Sequence, residues 1–273
     1  MLGTDSRFTD NTRMPLRAVP LDERQRARAR ISYELSVPAF HQPDDVTCGP
    51  TCLRKIYHFY GYDLPVEELL GEIDRNEDGG TLAVHLAISG LKRGFRARIY
   101  SYDLRIFDPS WSNLRGDALL EKIALRLPHM RSGKAARCAR AFSEFLEMGG
   151  EMAFDELTPT LLKSILNRDH PILVGLSATY LYKMARERHD PLTHLLIDDD
   201  VAGEPVGHFV VVSGYQQWGR QFSVRDPSAH IPPTTPDGRV LVEAQRLTNA
   251  ILLGDLTYDA VLLELWPSDE EES

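Results

Sequence analysis

The chain has 273 residues, 42% hydrophobic and 26% charged, which is enough to bury a sizeable core and ordinary for a globular protein. Its formal charge of −9 argues against a nucleic-acid binder, because neutralising phosphates requires a basic surface. Three cysteines cannot all pair with one another, and no stretch approaches the length of a membrane span, so the expected setting is cytoplasmic and reduced, with no membrane partner.

Residues 1–30 show little periodicity, despite a short basic run from Arg24 to Arg30, and are expected to form a flexible arm. Residues 31–267 read as one domain, and the acidic 268–273 as a solvated tail. Helical spacing begins at Cys48 and continues to Tyr60. A second helix opens near Leu64-Pro65, and a third spans Leu82 to Arg93, closed by Gly94. Arg96 to Tyr102 alternates as a strand does.

Between Gly116 and Met148 the pattern predicts two helices around Arg131-Ser132-Gly133. Thr158-Pro159 supplies an N-cap and a first-turn proline for a helix reaching Asn167. From there the chain turns β-rich: Pro171–Leu176, Gly207–Tyr215, Gln221–Asp226 and Ala260–Trp266, with a helix expected over Leu241–Leu253. Tyr180–Pro205 is a polar insertion, expected to be the most mobile loop and to move when substrate binds. Helices followed by an antiparallel sheet predict an α+β fold.

Chemistry concentrates in Gln42-Pro43-Asp44-Asp45-Val46-Thr47-Cys48-Gly49-Pro50. A cysteine entering a helix meets unpaired N–H groups and the positive end of the macrodipole, both of which favour the thiolate. Gly49 would let a substrate carbonyl approach, and Gln42 could donate to an oxyanion beside the Cys48 N–H. Asp44, Asp45 and Thr47 are expected to cap the helix. Read alone, Cys48 is equally well a small buried residue. Cys52 and Cys138 are expected in the core.

A thiol nucleophile needs a base, and that base needs an orienting group. Among nine histidines only His208 begins an apolar strand. A hairpin turn at Gln216–Gly219 would set His208 opposite Pro227, with Asp226 beside it, although a slip of one residue changes the face. Singly, His208 reads as a satisfied core histidine and Asp226 as a turn carboxylate; with Cys48 they make a candidate triad. A metal site built from His189, His194, Asp198, Asp200 and His208 is the rival reading, on a spacing that matches no ligand motif.

These residues resemble the C39-like family of papain-fold cysteine peptidases, through Gln42, Asp45-Val46-Thr47-Cys48-Gly49-Pro50, Gly207-His208-Phe209-Val210-Val211 and Asp226-Pro227. Gly175–Tyr182 and Asn249–Gly254 look like its stand-alone subgroup rather than members fused to a transporter. The resemblance implies a papain-like fold, a helical half carrying Cys48 against a sheet carrying His208 and Asp226. It also implies peptide or amide hydrolysis through a Cys48 thioester, with no cofactor. Stand-alone relatives are encoded beside ATP-grasp amino-acid ligases, which implies a functional link to such a ligase. The alternatives are an acyltransferase whose thioester is resolved by an amine, and an inactive peptide-binding module.

Overall fold

The computed structural model describes residues 31–76, 79–131, 133–193, 195–230, 235, 237–254 and 260–268. The expected arm at 1–30, His194 and the tail from 269 onward lie outside the described residues.

Three helices come early: α1 (Cys48–Phe59), α2 (Val66–Glu72) and α3 (Ala83–Lys92). They begin and end within two residues of the expected bounds. Strands β1 (Tyr33–Glu34) and β2 (Phe95–Ser101) flank this half in sequence. Next come α4 (Gly116–Arg126), α5 (Gly133–Glu147), β3 (Glu151–Ala153) and α6 (Pro159–Leu166). Thr158 caps α6 as its residue type predicts, its hydroxyl accepting the Leu161 N–H at 3.2 Å.

The C-terminal half holds β4 (Ile172–Ser177), α7 (Ala178–Tyr182), β5 (Glu187–His189), β6 (Leu196–Asp198), β7 (Gly207–Gln216), β8 (Gln221–Arg225), β9 (Arg239–Glu243), α8 (Ala244–Leu253) and β10 (Val261–Pro267). The polar insertion carries a small hairpin, with Glu187 opposite Asp198 and His189 opposite Leu196. The helix expected from Leu241 starts only at Ala244, because Arg239–Glu243 alternates between buried and exposed positions and adds a strand to β8.

The main sheet runs β3-β2-β10-β4-β7-β8-β9, with β1 paired to the far end of β7. It is therefore not purely C-terminal or purely antiparallel: β1, β2 and β3 come from the first half, and β2 and β3 pair in parallel. Central strands β4 and β10 are buried almost throughout, so helices must cover both faces. Neighbouring residues of β10 show which helix lies where. Leu265 packs beneath Gly90 of α3, while the adjacent Glu264 reaches Arg168 just after α6. Because side chains alternate along a strand, α3 and α6 cover opposite faces. The helix α1 sits with α3 and packs on β7 and β4.

Candidate active site

The site forms where β4 runs out and β7 begins, with Ser177 opposite Gly207 and Leu176 opposite His208. The amino end of α1 comes to the same place. Cys48 is its first residue and is half-buried. Thr47 occupies the N-cap position, but no side chain accepts from the first turn. Asp44 instead accepts the Val46 N–H at 3.0 Å, and the Thr47 hydroxyl donates to the Asp44 carbonyl at 3.3 Å. The expected capping by Asp44, Asp45 or Thr47 is thus absent among the described residues. The helix presents uncapped N–H groups beside Cys48.

Packing alone requires glycine at position 49. A Cβ there would stand 2.7 Å from Thr81 Cγ2 and 3.2 Å from the Phe209 ring. The absence of a side chain lets the helix start lie flat on β7 immediately beside His208.

His208 is 4% exposed and Asp226 3%. The His208 Nε2 lies 2.9 Å from Asp226 Oδ1, and Cys48 is near enough to raise the pKa of the same ring; with Nε2 engaged, Nδ1 is the nitrogen left for sulfur. Burial works against a protonated ring. The Asp226 carboxylate and then Cys48 outweigh it, and the imidazole is pushed up to about 10. Burial raises Asp226 in turn, but His208, Tyr182 and the Ser228 N–H hold the carboxyl below its usual range.

Asp226 is held on every side. Its Oδ1 also accepts the Ser228 N–H at 2.7 Å, and its Oδ2 accepts the Tyr182 hydroxyl. The Asp226 N–H donates to the Gly238 carbonyl at 2.7 Å. Gly238 has φ +63°, and a Cβ there would lie 2.4 Å from the Asp226 carbonyl oxygen, so only glycine fits. Tyr182 was not among the residues singled out for chemistry, although it ends Gly175–Tyr182, one of the stretches that carry the resemblance.

Gln42 reaches the same place by its backbone, whose N–H donates to the Pro227 carbonyl at 2.8 Å. Its side-chain Nε2 donates one hydrogen to the Asp44 carbonyl at 2.7 Å, and an amide nitrogen carries a second. The Gln42 Oε1 is buried and has no partner among the described residues.

Other candidates lie elsewhere. Tyr57 is fully buried and shares a hydrogen bond with Ser89, and Trp218 is exposed at the β7–β8 turn. Cys52 and Cys138 are buried and unpaired by disulfide, and the Cys52 thiol donates to the Phe209 carbonyl at 3.3 Å. Among the described residues no three His, Cys, Asp or Glu side chains are grouped to hold a metal ion. A cavity of about 450 Å³ is lined by Arg98, Arg115, Glu151 and Arg168 and by none of the candidate residues. Its Arg98 and Arg168 are already engaged by Glu151 and Glu264.

No family model and no curated protein matches the chain. Among solved structures it is similar to the peptidase domain of Streptococcus ComA, a bifunctional ABC transporter of a quorum-sensing pathway. The two share 15% identity, over 85% of this chain and 99% of that one, with a TM-score of 0.41. It is also similar to a protein from Bacillus anthracis described as a C39-like peptidase (13%, 88% and 99%, 0.43). A third is xylellain, a cysteine protease from Xylella fastidiosa (13%, 89% and 89%, 0.40). At these identities the chemistry rests on this chain's own residues. The expected α+β arrangement is present, with the helix of Cys48 packed on the strand of His208. Among the described residues no helix is long and apolar enough to cross a membrane.

Proposed function

We propose that the protein is a cysteine peptidase or amide hydrolase, with Cys48 as nucleophile, His208 as base and acid, Asp226 as orienter and Gln42 as oxyanion donor. The observation that carries this reading is the buried His208–Asp226 pair brought beside Cys48 at an uncapped helix start.

In this mechanism the Asp226 carboxylate holds Nε2–H, which fixes the tautomer and leaves Nδ1 for the thiol proton. The Cys48 thiolate attacks the substrate carbonyl, forming the C–S bond as the carbonyl electron pair moves to oxygen. The Cys48 N–H and the second Gln42 Nε2 hydrogen receive that oxyanion, each such donor contributing roughly 3–4 kcal/mol. Nδ1–H then protonates the departing amine as the C–N bond breaks. Water, deprotonated by the same nitrogen, hydrolyses the thioester and restores the thiol.

The test is intact-protein mass after brief exposure to limiting iodoacetamide, in wild type, Cys48→Ala and His208→Ala, as pH is varied. Fast single labelling well below the ordinary thiol pKa of about 8.5, lost in Cys48→Ala and slowed in His208→Ala, is the expected result. A thiol that labels slowly and ignores His208 would overturn the enzyme reading and favour a peptide-binding module.

A further inference from the structure

Lys55 lies on α1, seven residues after Cys48, and none of its side chain reaches solvent. A lysine is almost never this deeply buried unless a partner requires it there. The Lys55 Nζ donates to the backbone carbonyl of Asp226 at 3.1 Å. The helix that presents the nucleophile therefore also grips the residue that orients the base.

The groups facing Lys55 come from three elements. Cys52 lies one turn earlier on α1, Arg225 ends β8 with Asp226 just after it, and Asp237 precedes β9. Burial lowers the Lys55 pKa, Cys52 and Asp226 oppose this, Arg225 adds to it and Asp237 opposes it. Arg225 is itself paired with Asp237 at 2.8 Å and with Glu34 at 3.4 Å. With that cation already matched, Asp226 is the carboxylate left for Lys55 to balance.

We propose that Lys55 is a positioning residue for this site, clamping the Asp226 backbone from the nucleophile's own helix and balancing the charge of the ionised triad. The inference deepens the proposed function and rests on it. The reactive form holds a Cys48 thiolate, a His208 imidazolium and an Asp226 carboxylate, a net charge of −1 in a poorly hydrated site. Lys55 brings that sum to zero. Without it the thiolate forms at higher pH, and Asp226 loses one of its backbone anchors.

The test follows the alkylation rate of Cys48 in the full chain, from about pH 4 to about pH 9, with the thermal melt recorded in parallel. Cys52 and Cys138 are buried, so the label reports Cys48. In Lys55→Met the acid limb should move up by about one pH unit, slowing labelling about fivefold at the wild-type midpoint. Lys55→Arg should restore much of the limb. If Lys55→Met does not fold, Lys55→Gln, which keeps an amide donor without the charge, should show the same displacement. A melt that changes while the limb stays in place would make Lys55 purely structural and overturn the inference, leaving the proposed function intact. A wild-type Cys48 that labels as an ordinary thiol, indifferent to His208→Ala, would overturn both.

Discussion

His208 shows how a buried ring can be kept protonated. Burial alone would drive the proton off, and only the Asp226 carboxylate and the nearby thiol reverse that, raising the ring to about 10. A pKa raised from 6.5 to about 10 in the folded state stabilises the fold fully below the unfolded value, and that contribution is lost as pH rises through about 10. Asp226→Asn should leave only Cys48 opposing burial and lower the ring's pKa from about 10, as an NMR titration of His208 would record. The same variant should lower kcat/KM on a cleaved peptide by about 10²–10⁴-fold at neutral pH, and its stability deficit should shrink as pH rises through about 10. Tyr182 acts on the other oxygen of the same carboxylate. Burial and then Asp226 keep its phenol protonated and so a donor. Removing that hydroxyl in Tyr182→Phe deletes a charge-assisted bond, so the fold should lose about 1.5 kcal/mol in a denaturant titration.

The meeting of α1 with β7 and β8 sets the site at the scale of elements, and here the sequence is only partly legible. Helix α1 follows from its helical spacing, and strand β7 from its apolar run, which is buried from His208 to Tyr215. The register between β7 and β8 does not. The turn occupies Gln217–Arg220, one residue later than the expected Gln216–Gly219, and a bulge falls between Val212 and Gly214. Val211 therefore faces Arg225, and continuing that register sets His208 opposite Ser228 rather than Pro227. Asp226 then stands two residues away, a diagonal neighbour on the same face, whereas the register expected from sequence would have turned it to the other face. His208 and Asp226 thus meet through a register one residue away from the expected one. Gly49 is legible as a residue but not as a cause, since its reason lies in Thr81 and Phe209, which are far off in the chain. Gly49→Ala would force its new methyl against Thr81 Cγ2, and should destabilise the fold by about 1–3 kcal/mol in a denaturant titration.

Across the whole molecule, a second polar tie joins the far part of the sheet. Glu264 of β10 is fully buried and accepts from Arg168 Nη2 at 2.6 Å and from the Tyr100 hydroxyl at 3.1 Å, and it bonds His170 Nδ1 at 2.6 Å. Those partners come from β2 and from the segment linking α6 to β4, so one carboxylate pins three parts of the layer. Nothing in the local sequence marks it: Glu264 interrupts the apolar run Val261–Trp266 and reads there as a misplaced charge, and only long-range pairing supplies Arg168 and His170. Burial raises its carboxyl, but His170 and Arg168 together hold it below the usual range, so it is ionised at neutral pH. Arg168→Met should leave that charge with too few donors and destabilise the fold by about 2–4 kcal/mol, toward the lower end because the guanidinium is partly solvated. The loss should lessen in acid, where Glu264 can protonate in the variant and no longer needs the cation. Because this tie lies apart from the Cys48–His208–Asp226 set, the iodoacetamide pH profile of folded Arg168→Met should overlay that of wild type; a displaced profile would mean that the sheet transmits strain from Glu264 to the site.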